Sequence, residues 1–474
     1  NYEACVNSFA EVWLSDNDDD GNQQTRICFV MPGGNYGYHP RGPGQTHWHE
    51  EQPGIVHKTL RTGFGSPTGI CFYEGTLLPQ KYRGQLLHCD AGPRELRCFH
   101  IAPKGAGYEL EKENILTSSD NWFRLSDVCV APDGSVFACD WYDPGVGGHG
   151  MGDWTRGRVY RITPKGHAGY KVPAVDLTTK DGILDAMKSP CLSVRAAAAA
   201  RLAQRDPLAR ETFVAARDQN GDHALKARAL LQSGYGPDEL LALAQILEEP
   251  TKSQTLPLAV RAAAVRQVAN AIRDGRRGPI RFNPTMVKEW LAQSAPIQRE
   301  LLLLIAAYPA EEAIGMFYPL ARKYDGKDIV YRAALNIAAG SEPTRRDAIL
   351  ADFAERFPTL DDKTLDLVWE LRPKSMLPKL ETLLADEKVP GPQKARIVDI
   401  LAASDDAAAG KAMLKLLSST APPEAKARAL ENLRLFLPTK WNPLAKGDEI
   451  KLVAAQLLGD PKSVATGLQL IAAA

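Results

Sequence analysis

Three stretches of this sequence combine residue types at spacings that could do chemistry. Asp16, Asp18 and Asp20, followed by Gly21, form D-x-D-x-D-G, a compact set of hard oxygen ligands suited to Ca²⁺. Twelve positions along that loop stands Ile27 rather than Glu, so the loop is not an EF-hand, and an acidic surface turn is the competing reading. His47 and His49 flank Trp48 and precede Glu50, so in an extended segment two imidazoles share one side and could bind a transition metal. A polar loop explains the same residues without a third ligand. The glycine-rich run from Asp143 to Arg158 is long for a hairpin, and His149 and Asp153 within it could line the mouth of a site. No GK[ST] follows and no helix begins there, so it is not a phosphate loop; a packed connection is the alternative.

Composition narrows the partners of such groups. Lys plus Arg and Asp plus Glu both number 57, so no basic footprint for phosphate neutralisation exists and nucleic acid is not expected. The longest apolar stretch, Leu301 to Ala307, is far below the roughly 20 residues of a membrane span. The chain opens on Asn1 without a leader and ends in a helical pattern still in progress at Val464 to Ala474, which suggests an internal piece of a larger protein. Seven of eight cysteines (Cys5, Cys28, Cys71, Cys89, Cys98, Cys129 and Cys139) precede residue 140 and Cys191 follows, none of them spaced as CxxC. They read as small buried strand residues, with one or two disulfides left open.

The elements that must position these groups fall into two regimes. From residue 181 onward, helix cores repeat around arginines at 195, 228, 261, 299, 332, 396 and 428, in steps of 33, 33, 38, 33, 64 and 32. The long step is a double one, with a further apolar-periodic helix around Thr364. This periodicity predicts an α-solenoid of HEAT-like repeats over residues 181–474, eight or nine units of paired helices that bury their stripes on one another. Recurrent prolines (Pro190, Pro207, Pro257, Pro296, Pro390, Pro461) stand where helices begin. The repeated arginines are expected to form solvated ion pairs along the stack, making a scaffold or docking surface. A linker over residues 167–180 precedes the repeats.

Before it, short period-two runs separated by Gly, Pro and Asp turns predict strands, with a tight turn at Ala131 to Gly134. Two stretches of about four strands each look alike, TGICFYEG…ELRCFHI and SDVCVAPDGSVFACDWYD…GRVYRITP, as successive propeller blades would. The predicted class is therefore β plus α: a partial β-propeller of the six-bladed type over residues 1–166, about three blades, followed by the solenoid.

The runs GGNYGYHP (Gly33 to Pro40), SPTGICFYEGTLLPQKYRGQLL (Ser66 to Leu87) and DVCVAPDGSVFACDWYD (Asp127 to Asp143) resemble the last blades of quinoprotein glucose and sorbosone dehydrogenases. The whole chain resembles the planctomycete membrane-bound dehydrogenase-type proteins, in which a propeller, HEAT repeats and a c-type haem domain follow one another. The resemblance implies oxidation of a sugar or alcohol by hydride transfer to pyrroloquinoline quinone (PQQ) with Ca²⁺, and passage of electrons to a haem outside this segment. It implies a periplasmic or cell-envelope location. It places the metal loop on Ser15 to Asn22, hence Asp16, Asp18 and Asp20 as metal ligands and Asn17 beside the cofactor. It places one quinone-contacting arginine on Arg124 and, more loosely, a second basic contact on Arg94; the partner position of Arg124 is Ser126. The catalytic His of the family belongs to a blade outside this chain, so catalysis is expected of a longer parent and not of this segment alone. The alternative is a non-catalytic propeller and solenoid that binds glycan or protein partners, the latter on the HEAT surface.

Overall fold

Period-two alternation becomes strands wherever one face can be buried. A computed structural model of the chain describes residues 2–17, 25–37, 53–146, 155–219, 221–232, 237–248, 255–276, 278, 280–281, 283–404 and 406–474. Its described strands are β1 (Glu3–Val6), β2 (Val12–Asp16), β3 (Thr25–Val30), β4 (Leu60–Gly63), β5 (Pro67–Tyr73), β6 (Gln85–Asp90), β7 (Glu95–Lys104), β8 (Gly107–Thr117), β9 (Leu125–Val130), β10 (Val136–Asp140) and β11 (Arg158–Ile162). They form three antiparallel sheets in chain order, β1-β2-β3-β4, β5-β6-β7-β8 and β9-β10-β11, the up-and-down topology of propeller blades. The first strands stack in turn, β1 on β5 and β5 on β9. Glu3 Oε2 accepts from Ile70 N at 2.7 Å, and Thr68 Oγ1 donates to Leu125 O at 2.8 Å, so neighbouring sheets are tied through their inner strands. Between the second and third sheets lies an apolar core of Tyr73, Leu87, Leu96, Phe123, Val128 and Val136.

The turn Ala131 to Gly134 closes as expected: Gly134 takes φ +85°, its N–H donates to Ala131 O at 2.9 Å, and Asp133 accepts from Ser135 N. None of the eight cysteines is bridged, and Cys129 is exposed rather than buried. In an up-and-down sheet, the second-to-third turn and the entry to the first strand share one end. The first-to-second and third-to-fourth hairpins share the other.

From Lys180 onward the chain is helical, and most helices pack on the next and on the next but one, the contact pattern of a solenoid. Side chains of Thr179, Asp206, Asn283 and Asp361 cap helix N-termini, and Pro207, Pro284 and Pro296 sit in first turns. Contacts divide the chain into two compact units: residues 1–50, 55–323 and 328–338, and residues 51–54, 324–327 and 339–474.

In the first unit the repeated arginines correct the expectation of solvated pairing. Arg195, Arg228 and Arg299 are 3%, 5% and 1% exposed, because hairpin ends of the sheets lie against them. Arg195 Nη2 pairs with Glu74 at 2.8 Å, and Arg228 Nε donates to Ser8 Oγ at 2.7 Å. Arg261 instead bonds Gln293, and its neighbour Arg266 donates to Phe9 O at 2.8 Å. Arg299 donates to Ala106 O, lies 4.6 Å over the Phe29 ring, and shares the fully buried Glu300 with Arg266, each at 2.6 Å. Asp328 accepts from Ala106 N at 2.6 Å. Burial of these guanidiniums is tolerable because each meets a carboxylate or carbonyl.

Within the second unit, Arg396 pairs with Asp362 and Asp366, and Arg428 with Asp399 at 2.6 Å and Glu431 at 2.7 Å, all at the surface. There the expected solvated pairing holds. Gly54 N donates to Glu370 Oε1 at 3.0 Å, seating Gly54 on helix Asp362–Leu371.

Candidate functional site

The end of the sheets opposite the arginine-gripped hairpins gathers the β2–β3, β6–β7 and β10–β11 connections with the entries to β5 and β9. The described residues among those singled out for the metal and quinone sites all map there: Asp16 and Asn17 at the end of β2, Arg94 between β6 and β7, and Arg124 leading into β9. Asp18, Asp20, His47, His49, Glu50, His149 and Asp153 lie outside the described residues.

Asp90 builds the β6–β7 turn. Its Oδ1 accepts from Ser66 N (2.7 Å) and Gly92 N (3.2 Å), while its Oδ2 meets Arg97 Nη1 at 2.8 Å, with Arg97 also on Glu95. This presses the turn onto the entry to β5. A Cβ on Gly92 would stand 2.9 Å from the Gly65 and Ser66 backbone, and one on Gly65 would stand 2.4 Å from the Asp90 carboxylate. Arg94, at φ +64°, projects from this turn and donates from Nη1 to Asn121 Oδ1 at 2.7 Å.

Asp140 performs the matching role in the third sheet. Its Oδ1 accepts from Arg124 N (2.8 Å) and Tyr142 N (3.0 Å), and Trp141 N donates back to Arg124 O at 3.0 Å. Arg124 is 6% exposed and donates to Phe123 O at 3.0 Å and, more weakly, to Pro144 O at 3.4 Å. Neither Arg124 nor Arg94 forms an ion pair among the described residues, and the Nε of each is buried without an acceptor, as is Trp141 Nε1. Burial, and then the Arg94 charge, lower the Arg124 pKa, while Asp143, Asp140 and Asp120 act in the opposite direction without outweighing them. At the same edge, Tyr142 (φ +58°) packs 5.4 Å from Trp122, with Arg156 and Arg158 over its ring at 5.2 and 4.1 Å. Arg158 also reaches Asp120 at 3.2 Å.

Asp140, Trp141, Tyr142, Arg156 and Arg158 were not singled out as site residues from the sequence. Their signal was the DWYD tetrapeptide at the exit of a strand, where an aspartate can brace the following turn. Ser126 donates its hydroxyl to Cys139 O at 3.3 Å.

At the β2–β3 connection a cation is already present. The Arg26 guanidinium is 3.9 Å from Asp16 Oδ2 and donates to Asn17 O, and Arg26 is 1% exposed. No cluster of three or more His, Cys, Asp or Glu with metal-binding geometry occurs among the described residues. No described helix is long and apolar enough to cross a membrane.

Residues 39–166 match a family described as a domain of unknown function (DUF7133). The likeness is partial. A solved protein of Thermus thermophilus, described as a candidate oxidoreductase (glucose dehydrogenase), shares 20% identity over 33% of this chain and 43% of its own, with a TM-score of 0.26. The match thus spans less than half of that protein's length. No curated protein matches the sequence.

Proposed function

We propose that the chain is part of a quinone-dependent sugar or alcohol dehydrogenase in which the Arg94 and Arg124 edge holds the carboxylates of PQQ. One observation carries this reading: two convergent guanidiniums, one almost fully buried, have no carboxylate partner among the described residues and keep unbonded Nε donors. Asp143, Asp140 and Asp120 act on Arg124 only through space and oppose its burial and the Arg94 charge, so the pair would still gain from the direct contacts of a polyanion. Trp141 Nε1 offers a third donor to the same region. Arg94 comes from the second sheet and Arg124 from the third, so the ligand would bridge two blades. Ser126 removes one family cation, and Arg94 supplies the replacement charge.

When bound, the quinone would supply a two-electron acceptor for the alcohol. The residues of this chain would supply its orientation: Asp140 fixes the Arg124 backbone, and Asp120 and Tyr142 fix Arg158 at the rim. The described part of the acidic loop does not fit a divalent ion, because Arg26 already faces Asp16 and the Asn17 carbonyl. A haem acceptor, an envelope location and a longer parent of the planctomycete type belong to this same proposal.

Calorimetric titration of PQQ into the full chain tests it. Saturable binding is expected, weakened about ten-fold or more by Arg124→Ala and by Arg94→Ala, since each removes a charge-assisted contact. An absence of heat with the unsubstituted chain would replace this reading by glycan or protein binding.

A further inference from the structure

The first and second sheets have four strands each, whereas the third has three, β9, β10 and β11, among the described residues. Its outer strand, β11, pairs on one side alone, with β10. Which backbone groups point outward follows from alternation along the strands. Ala131 N donates to Ser135 O at 2.8 Å and Trp141 N to Arg124 O at 3.0 Å, so the odd-numbered residues of β10 turn their backbone groups toward β9. Val136, Ala138 and Asp140 therefore turn theirs toward β11, onto Ile162, Tyr160 and Arg158. Val159 and Arg161 are left facing away from the sheet, and their main-chain N–H and C=O groups have no partner on that side among the described residues. The Val159 side chain is 66% exposed.

The described residues that follow do not fill this edge. After β11 the chain reverses over residues 164–167, where Gly166 takes φ +81° and His167 N donates to Pro164 O at 3.1 Å. It then crosses the face of the sheet: the Tyr170 ring lies 5.8 Å from Phe137 and 5.2 Å from the Arg161 guanidinium, two residues paired across β10 and β11. Residues 165–176 are all exposed and form no strand. A sheet edge with unanswered donors and acceptors is a template for a further strand.

Charge says which strand. Residues 155–171 hold five basic side chains, Arg156, Arg158, Arg161, Lys165 and Lys171, and no acidic one. Asp120 answers Arg158 at 3.2 Å and Asp133 answers Arg161 at 2.8 Å, while Lys165 and Lys171 are exposed without an ion pair among the described residues. The second sheet shows what occupies the same position. There the fourth strand, β8, sets Glu109, Glu111 and Glu113 on one face, opposite Ala102, His100 and Cys98 of β7, and Glu113 meets Lys81 at 2.5 Å and His100 Nε2 at 2.7 Å. A second copy of β11 would instead set this basic segment against itself.

We propose that the free edge of β11 binds an extended acidic segment of another protein, which completes the third sheet as its fourth strand. Main-chain bonds to Val159 and Arg161 fix the segment, and the basic flank selects its charge. The site does not rest on the quinone reading.

The test is a fluorescence-anisotropy titration of the full chain into a dye-labelled peptide with the β8 sequence Gly107–Thr117, with amide hydrogen exchange of the complex read by mass spectrometry. Saturable binding that slows exchange over residues 158–162 is expected, and a peptide carrying Glu109→Lys, Glu111→Lys and Glu113→Lys should not bind. Val159→Pro removes one outward donor and leaves the inward bonds to β10 in place, so it should weaken binding about ten-fold or more. Arg124→Ala should leave the affinity unchanged and PQQ should not compete, which separates this site from the quinone reading. No binding, equal binding of the lysine peptide, full affinity in Val159→Pro, or slowed exchange in β7 rather than β11 would each overturn the proposal. So would self-association of the chain that Val159→Pro abolishes, since a second copy would then hold the edge. Should Val159→Pro fail to fold, the exchange pattern and the lysine peptide decide the matter on the unsubstituted chain.

Discussion

Glu300 offers the sharpest test of how the sheets and helices of the first unit hold together. Its carboxylate is fully buried between Arg266 and Arg299, each 2.6 Å away, and each of these arginines also donates to a hairpin carbonyl, Phe9 O or Ala106 O. At an effective dielectric of about 20, two unit charges about 4 Å apart attract by about 4 kcal/mol. Two such pairs, less several kcal/mol for desolvating the ions, leave the carboxylate worth about 3–5 kcal/mol against a neutral replacement. Glu300→Gln should therefore lower the free energy of unfolding of this unit by about that amount. Urea unfolding read through Trp13 emission, isolated by comparison with Trp13→Phe, would report it, since Trp13 packs 5.5 Å from the Phe29 ring that lies beneath Arg299. Burial alone would raise the Glu300 pKa, but the two guanidiniums outweigh it and hold it below the ordinary carboxylate value. The sign follows: the contribution is complete above the unfolded pKa of about 4.3 and is lost as pH falls through the folded value. Glu300→Gln should lack that acid limb. A loss below about 1 kcal/mol at pH 7, with the acid limb intact, would refute the reasoning and leave the carbonyl contacts as the main grip.

His88, wholly buried with both ring nitrogens unbonded, has its pKa pushed down to about 3 by burial and then by Arg97, so it stays neutral in the folded chain. Its depressed value makes stability fall as pH drops from about 6.5 toward 3, and His88→Leu should flatten the pH–stability curve in that window, by a few kcal/mol at its acid end. Gly92→Ala should destabilise the β6–β7 turn by about 1–3 kcal/mol, because its Cβ meets backbone at 2.9 Å, and thermal melting together with weakened PQQ binding would show it. Arg205, exposed at φ +56°, should gain about 0.5–1 kcal/mol on replacement by Gly, visible as a higher melting temperature.

The legible part of this structure was the part set by periodicity. Alternation placed the strands, A-P-D-G placed its turn, and the spacing of about 33 residues placed the helices, because each depends on residues near one another in the chain. The arginine repeat was visible, yet its role was not. Nothing adjacent to Arg299 in sequence announces Ala106, 193 residues away, as its partner. The same holds for Arg124, whose neighbours gave no sign that Asp140 braces its backbone or that Arg94 lies close enough to depress its pKa. The acidic loop illustrates the converse: a ligand-like spacing was plain at Asp16, but Arg26 on the neighbouring strand answers that carboxylate.

The grip of the helices on the sheets is chemically one-sided. Arg266 and Arg299 take hold of main-chain oxygens at Phe9 and Ala106, and Asp328 takes the Ala106 amide, groups that every residue type but proline provides. Substitutions within those two hairpin tips therefore leave the donors and acceptors in place. The helices have no such latitude, since only a long guanidinium reaches and only a carboxylate balances it. Sequence drift in related chains should thus concentrate in the tips around Phe9 and Ala106 and spare Arg266, Arg299, Glu300 and Asp328, whereas Glu74 and Ser8, which answer through their side chains, should covary with Arg195 and Arg228.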